Sequence, residues 1–248
     1  MVDGILNINK PSGMSSNKCM QIVKRKLGLK KVGFLGTLDP AACGVLVLLC
    51  GKYTKWADYL HGRSPHPEKE RQSTSVPGVT PAKVYRSVFS FGIETTTLDL
   101  ESEVTEKSDV IPTHTEILEI LPKMIGEIEI QVPRYSAVHI NGKRAYDLAR
   151  RGVDFEPPKK QVRIERFELL NDTRYLDLCR TKPLDKNEFY FEIECQTGTY
   201  IRSLAKLVAE KLGTLAVASS IIRTAVGGFQ IKDSKSPDDV TLADLNSM

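Results

Sequence analysis

One aspartate stands in a loop that would let another molecule approach its backbone closely. The nonapeptide at positions 36–44 (Gly-Thr-Leu-Asp-Pro-Ala-Ala-Cys-Gly) places Asp39 between two glycines and just ahead of the apolar run 45–50. Glycine permits backbone angles and close contacts that other residues forbid, and Pro40 biases Asp39 toward an extended backbone. The apolar run predicts a buried strand. An Asp-Pro pair alone indicates a turn, but a simple turn needs neither the flanking glycines nor a core strand, so we predict a rigidly held carboxylate at a sheet edge.

Five regions of the chain carry a resemblance to a known family. They are the Lys-Pro turn within 5–16, the loop at 36–44, the tyrosine strand at 83–85, the paired segments 133–137 and 142–152, and the segment 195–204. In this order, and over nearly the whole chain, they resemble the TruB family of pseudouridine synthases, which modify a uridine in the T-loop of tRNA. The resemblance implies an α+β pseudouridine synthase fold, with a mixed, largely antiparallel sheet flanked by helices around a central cleft. It also implies a tRNA T-stem-loop as partner, uridine 55 as target, and no metal or cofactor.

The implied reaction breaks the N1–C1′ bond of uridine, rotates the uracil and joins C5 to C1′. It needs a carboxylate, and the resemblance assigns that role to Asp39, either as a nucleophile or as a base. Arg202 matches the arginine that pairs with the catalytic aspartate, with a helix-surface arginine as the alternative. Tyr85 matches the tyrosine that stacks on the target base, with a sheet-core tyrosine as the alternative.

Three further positions match the family's RNA-binding residues. A uridine inside a folded loop must flip out before it reacts, and flipped bases stack on aromatic faces. Phe34, in the string Gly-Phe-Leu-Gly at 33–36, stands where the family usually has histidine; it keeps the stacking face but loses the ring nitrogens. Asp99 matches a base-flipping position or ends a strand in a turn. Arg223 matches an arginine near the family's active site or is a surface arginine.

The resemblance predicts an RNA-gripping insertion at residues 131–158. Its basic residues are the candidate phosphate ligands: Arg134, Lys143, Arg144, Arg150 and Arg151. The alternative is a solvated basic helix face.

Charge is distributed unevenly along the chain. The formal net charge is only +4, yet residues 1–31 hold seven Lys or Arg against one acid, and residues 134–166 hold nine against four. Residues 94–129 hold ten acids against two lysines. Such segregation indicates a protein with a polyanion-binding side and a solvent side.

We predict one catalytic domain, 1–248, with a mobile insertion at 61–81. We expect no C-terminal PUA domain, the small RNA-binding domain that members of the family commonly carry. Strands mixed with helices, without strict βαβ alternation, favour an α+β fold. Neither a membrane span nor a secretory signal is visible, and the five scattered cysteines favour reduced thiols. We expect a cytoplasmic monomer that needs no protein partner.

The predicted strands are 5–9, 84–91, 125–132, 161–170, 187–196 and 216–222, and the predicted helices begin at Ser15 or Ser16, Thr54, Thr113, Ala145 and Thr199.

Other functions remain open on the residues alone. A pseudouridine synthase for a different structured RNA, such as an mRNA or rRNA hairpin, uses the same motifs. A tRNA-folding RNA-binding protein would not need Asp39, Tyr85 and Arg202 together. A glycoside hydrolase generally uses two carboxylates, and only one good candidate is present.

Overall fold

Thirteen strands and four α-helices lie within residues 2–57 and 82–246, the part of the chain that the computed structural model describes. The strands are β1 Gly4–Lys10, β2 Val32–Leu35, β3 Cys43–Cys50, β4 Lys83–Phe91, β5 Ile93–Thr95, β6 Val104–Lys107, β7 Gly126–Gln131, β8 His139–Ile140, β9 Lys143–Arg144, β10 Lys159–Leu169, β11 Glu188–Cys195, β12 Ala216–Val226 and β13 Phe229–Gln230. The helices are α1 Ser16–Lys26, α2 His114–Ile120, α3 Ala145–Arg150 and α4 Ile201–Lys211. None of these helices is long and apolar enough to cross a bilayer.

The chain divides into two units. Unit 1 comprises Met1–Arg86, Arg174–Thr181 and Ile221–Met248, and unit 2 comprises Ser87–Thr173 and Lys182–Ser220. Strands β4 and β12 pass from one unit into the other. The division was not anticipated from the sequence, and the single catalytic domain stays a prediction.

Strand β3 is the centre of the sheet in unit 1. The strand order there is β1-β3-β12-β4, with β2 also paired to β3 and β13 to β12. Pairing of β3 with β1 and with β2 is antiparallel, whereas pairing with β12 is parallel and short, at Cys43 and Gly44. All eight residues of β3 are buried, because alternate side chains face two different apolar clusters. The predicted core strand is confirmed.

Unit 2 carries the strand order β12-β4-β11-β10-β7 and two small hairpins, β5/β6 and β8/β9. Strand β10 pairs antiparallel with both β11 and β7. Three buried rings hold the sheet's face together: Phe89 lies 4.7 Å from Phe191 and 6.1 Å from Phe167, between ring centroids. Helices mixed with a largely antiparallel sheet make this an α+β protein, as predicted.

Most predicted elements are present, with ends shifted by one or two residues, except that β12 runs four residues past its predicted end, to Val226. Ser15 caps α1 by accepting a hydrogen bond from the Lys18 amide, and Gly28 follows the helix at φ +64°. The capping box of Thr113 and Glu116 opens α2. Of the helix expected from Thr54, residues 54–56 belong to the 3-10 helix Gly51–Trp56, Ala57 is helical, and the remainder lies outside the described residues. The predicted insertion at 61–81 lies outside the described residues.

The expectation of reduced cysteines is wrong for two of the five. Cys43 and Cys179 form a disulfide, whereas Cys19, Cys50 and Cys195 are free and buried. The bond links β3 to a segment 136 residues away in the chain, and nothing in the cysteine spacing signals that contact. Burial raises the pKa of the Cys19 and Cys50 thiols to about 11, so both stay protonated at neutral pH.

Candidate active site

The loop that carries Asp39 depends on both of its glycines. Gly36 has φ +69° and Gly44 has φ +99°, angles that other residues rarely adopt. A Cβ atom on Gly36 would lie 2.7 Å from the Lys83 ammonium nitrogen, and one on Gly44 would overlap the Arg223 carbonyl oxygen. Both glycines are therefore required by packing against the protein's own Lys83 and Arg223, and close approach of another molecule to the loop stays a prediction. Asp39 itself is half-buried between them.

Ser16 fixes the residue that precedes Asp39. Its hydroxyl donates to the Leu38 carbonyl at 2.9 Å and accepts from the Leu38 amide at 2.8 Å. Both residues are buried, with exposed fractions of 1% and 3%. The side chain thus satisfies both backbone groups of Leu38, although it stands in the first turn of α1.

Lys10 fixes the residue that follows Asp39. Its ammonium group is fully buried and donates to the carbonyls of Pro11, Met14 and Pro40 at 2.9, 2.6 and 3.3 Å. The Gly13 amide donates to the same Pro40 carbonyl at 2.9 Å. A buried lysine needs such partners, because an unsatisfied buried charge is costly. The Lys-Pro turn and the loop of Asp39 are therefore joined on the C-terminal side of Asp39.

Arg223 fixes the start of the loop from β12. It is fully buried, and its guanidinium donates to the carbonyls of Val45, Gly36 and Thr37 at 2.8, 3.0 and 3.4 Å. The surface alternative for this arginine is wrong. These bonds make Arg223 a support of the loop backbone, and its contact with RNA stays a prediction.

Tyr85 and Phe34 supply aromatic rings in unit 1. Tyr85 lies in β4 with 7% of its surface exposed, next but one to the equally buried Lys83. Phe34 lies in β2, half-buried, and packs on the apolar cluster between α1 and β3. Phe34 is therefore partly a packing residue, and stacking by either ring on a base stays a prediction.

Arg202 and Asp99 form a buried ion pair in unit 2, with an N–O distance of 3.6 Å. Arg202, in the first turn of α4, also donates to the carbonyls of Thr97 at 2.7 Å and Tyr135 at 3.0 Å. The carboxylate of Asp99 accepts from the Glu101 amide at 2.9 Å. The helix-surface alternative for Arg202 is wrong, and the turn that follows β5 is confirmed at Asp99. That geometry leaves a role in base flipping untested.

Arg134 closes the base of the 131–158 insertion. Its guanidinium donates to the Asp154 carboxylate at 3.1 Å and to the Phe155 carbonyl at 3.0 Å, and it stacks 4.6 Å from the Phe155 ring centroid. These contacts join the two ends of the insertion. Arg134 therefore has a structural role, and phosphate binding by it stays a prediction.

The tip of the insertion presents the other basic candidates to solvent. An Asn-Gly turn at 141–142 joins β8 to β9, and α3 follows directly. Three of the candidates, Lys143, Arg144 and Arg151, line a shallow cavity of about 430 Å³. Arg150 stacks 5.6 Å from the Tyr146 ring. All four basic residues are exposed, and none of them has a salt bridge to a carboxylate within residues 2–57 and 82–246.

The predicted site residues fall into two groups. Asp39, Tyr85, Phe34 and Arg223 belong to unit 1, whereas Arg202, Asp99 and the basic residues of the insertion belong to unit 2. The predicted pairing of Arg202 with Asp39 stays a prediction. Among the residues described, no cluster of three or more His, Cys, Asp or Glu side chains suits a metal ion.

Two supporting residues were missed in the sequence: Lys10 and Ser16. In the sequence, Lys10 is only part of the Lys-Pro turn, and Ser16 is only a candidate cap of α1. The sequence does contain a signal for the role of Ser16. Two serines, Ser15 and Ser16, stand where α1 needs only one capping residue.

Comparison with known proteins identifies the family. The family described as TruB family pseudouridylate synthase (N terminal domain) matches residues 24–67 and 71–201. The chain belongs to the TruB family. The matched residues include Asp39, Tyr85 and the whole insertion, but not Arg202 or Arg223.

Several curated tRNA pseudouridine synthases B are similar to this TruB protein. The one from Bacillus licheniformis is 36% identical over 242 residues, which cover 97% of this chain and 70% of that protein. The one from Geobacillus kaustophilus is 37% identical, with 96% of this chain and 76% of that protein covered. The one from Syntrophobacter fumaroxidans is 38% identical, with 94% and 67% covered.

Solved structures share the fold of this TruB chain. A crystal structure of a Cbf5-Nop10-Gar1 complex matches with a TM-score of 0.62 and 24% identity, over 97% of this chain and 52% of that one. A structure of an H/ACA RNP bound to a substrate RNA containing 2′-deoxyuridine matches with a TM-score of 0.60 and 21% identity. The chain spans about half the length of these solved chains.

Proposed function

We propose that this tRNA pseudouridine synthase converts the T-loop uridine of tRNA, position 55, to pseudouridine, with Asp39 as the reacting carboxylate. The observation that carries the proposal is the loop of Asp39. Its backbone is tied to Ser16, Lys10 and Arg223 through Leu38, Pro40 and Gly36, on both sides of the aspartate. Such preorganisation lowers the cost of holding a reacting group in place.

The proposed reaction is an internal exchange of bonds. The N1–C1′ bond of uridine breaks, the uracil turns, and C5 bonds to C1′; C5 loses its proton and N1 gains one. No electron or external group enters, so the protein must supply a carboxylate and a path for one proton. Asp39 supplies the carboxylate in this proposal, as nucleophile or as base, and Tyr85 stacks on the uracil.

The proposed target lies in a folded loop, so the base must flip out of its stack. Phe34 retains an exposed part that can stack on a base, and base–aromatic stacking is worth roughly 1–3 kcal/mol. Lys143, Arg144 and Arg151, gathered at one cavity of the insertion, are suited to bind RNA phosphates as charged, solvent-accessible groups. Asp99 and Arg202 hold the turn after β5 through their buried ion pair, and in this proposal Asp99 assists base flipping while Arg202 pairs with the reacting aspartate.

We further propose that the protein acts in the cytoplasm as a monomer without a protein partner. Sedimentation of the active protein, alone and with tRNA, measures the number of chains in the active species. A species of one chain, or one chain with one tRNA, is expected, and an active dimer would contradict it.

The test of the function is a site map of the product. A tRNA transcript is incubated with the purified protein, and pseudouridine is located by chemical labelling and by mass spectrometry of RNA fragments. We expect one new pseudouridine, in the T-loop at position 55. A transcript with cytidine at that position is the control and should remain unmodified. Modification at another position, or of a non-tRNA hairpin in preference, would refute the proposed target.

A further inference from the structure

A second basic surface lies at the end of unit 1 that is opposite to the catalytic loop. It consists of seven cationic residues, which we call the distal basic surface: Lys24, Arg25, Lys26, Lys30, Lys31, Lys52 and Lys55. All are exposed except Lys24, which is half-buried. Within residues 2–57 and 82–246, none of the seven is in a salt bridge.

Three separate elements bring these residues to the same end of the sheet. In the β1/β3 ladder, Lys10 pairs with Gly44 at one end and Gly4 pairs with Cys50 at the other. Asp39 precedes β3 and so lies at the Gly44 end. Val32, the first residue of β2, pairs with Cys50. Lys30 and Lys31 therefore lie at the far end, and the Gly51 amide donates to the Lys31 carbonyl at 2.9 Å.

The other two elements reach the same end of β3, at Cys50. Lys52 and Lys55 lie in the 3-10 helix Gly51–Trp56, which begins where β3 ends. Helix α1 starts at Ser16, which bonds to Leu38 in the catalytic loop, and ends at Lys26. At about 1.5 Å per residue, Lys26 lies roughly 15 Å along the helix axis from Ser16. Eight strand residues at about 3.3 Å each separate the two ends of β3 by roughly 25 Å.

Ordinary structural reasons explain only part of this surface. Cations in the last turn of α1 interact favourably with the helix dipole, which accounts for Lys24, Arg25 and Lys26. Lys30, Lys31, Lys52 and Lys55 are in no α-helix. The bordering acids are few: Asp3 accepts from the Lys52 amide at 2.8 Å, and the Asp238 carbonyl accepts from Lys26.

The composition of the surface indicates the kind of partner. Six of the seven residues are lysines, which act as point charges toward phosphates rather than as readers of base edges. The neighbouring rings of Tyr53 and Trp56 pack on each other and on the core of unit 1. A surface of lysines whose described aromatic neighbours, Tyr53 and Trp56, are engaged in packing fits the backbone of a double helix better than unpaired bases.

We propose that the distal basic surface binds the phosphate backbone of a helical part of the RNA substrate that lies beyond the target stem-loop. The proposal rests on the proposed function, because the target loop at Asp39 fixes where the rest of the RNA begins. It adds a second contact region at the opposite end of β3, roughly 25 Å along the strand from the end that the loop of Asp39 precedes. Its contribution is affinity for a long substrate, not chemistry at the loop.

The test compares two RNAs and two triple variants. The first variant is Lys30→Gln, Lys31→Gln and Lys52→Gln. The control, Lys107→Gln, Lys123→Gln and Lys211→Gln, removes the same charge from exposed lysines of unit 2. Dissociation constants are measured over a range of salt concentrations, for a full-length tRNA transcript and for a minimal T-stem-loop hairpin. Single-turnover pseudouridine formation at saturating enzyme is measured for both RNAs.

The proposal predicts a change on the long RNA alone. Each lost phosphate contact lowers the slope of log affinity against log salt by about 0.7–0.9, so the first variant should lose about two to three units of slope on tRNA. On the hairpin, the slope and the saturating rate of the first variant should equal those of the unmodified protein. The control variant should match the unmodified protein on both RNAs.

Three outcomes would overturn the proposal. An unchanged slope on tRNA would exclude phosphate contacts and leave the surface to an acidic protein. An equal loss on the hairpin would place these lysines at the target loop. An equal loss in the control variant would assign the effect to overall charge. If neither the unmodified protein nor any variant forms pseudouridine on either RNA, the proposed function fails, while the slopes still decide whether this surface binds RNA.

Discussion

Replacing Ser16 by alanine should disturb the loop of Asp39 without removing the proposed reacting group. The Ser16 hydroxyl makes two hydrogen bonds to Leu38, the residue before Asp39. The substitution removes one oxygen and leaves the buried amide and carbonyl of Leu38 without these partners. Because Ser16 is in the first turn of α1, its backbone and helix need not change.

The expected cost follows from those two orphaned groups. An unsatisfied buried backbone group costs roughly 1–3 kcal/mol, so the loop conformation should lose about 2–6 kcal/mol of stability. The loop can relieve part of that cost by opening to water. If about 2 kcal/mol then opposes the reactive geometry, the population of correctly placed Asp39 falls about 30-fold. We therefore expect a single-turnover rate reduced roughly 10- to 100-fold.

Ser15 offers a matched control one residue away. Ser15→Ala removes the cap of α1, an exposed bond to the Lys18 amide at 3.1 Å, at a cost of about 1 kcal/mol. Thermal melting and single-turnover pseudouridine formation are measured for both variants, at a temperature where both are folded. Ser15→Ala should lower the melting temperature and keep the rate, whereas Ser16→Ala should lower both. Equal rates in the two variants would refute the positioning role of Ser16.

Three other predictions concern separate parts of the molecule. Phe34→Ala should slow single-turnover modification about tenfold to a hundredfold, from roughly 1–3 kcal/mol of lost stacking, and Phe34→His should be tolerated; full activity with a lowered melting temperature would make Phe34 a packing residue only. Neutralising Arg150 and Arg151 together should weaken RNA binding and flatten its salt dependence, and an unchanged slope would assign both to a solvated helix face. Thiol titration of the denatured, unreduced protein should count three thiols, as the single disulfide requires, and five would contradict that bond.

The elements with local signals were predictable from the sequence. Ser15 and Gly28 bracket α1, and the capping box at Thr113 opens α2, because these residues act on their own backbone neighbourhood. The β8/β9 hairpin was missed although Asn141-Gly142 is a standard turn signal, since two-residue strands carry no periodicity. Strand β2 was missed for a similar reason: four residues are too few to show alternation.

The candidate site was predictable at Asp39 and not at its supports. The Asp-Pro pair and its two flanking glycines mark the loop in the sequence. A positive φ and close backbone contacts are requirements of the glycine positions themselves, so the residue type reveals them. Ser16 and Arg223 act through residues 22 and 187 positions away, and only the folded register reveals such contacts. The disulfide of Cys43 is likewise a contact between distant segments, so an odd cysteine count was a poor guide to it.

The central claim is that the carboxylate of Asp39 carries the reaction. The most direct measurement is single-turnover pseudouridine formation by Asp39→Asn on a T-stem-loop RNA, with RNA affinity and thermal melting measured on the same preparation. The substitution keeps the size of the side chain and removes only the charge and basicity that the chemistry needs. The account predicts a folded protein that binds RNA with normal affinity and forms no detectable product. Turnover within about tenfold of the unmodified protein would contradict it.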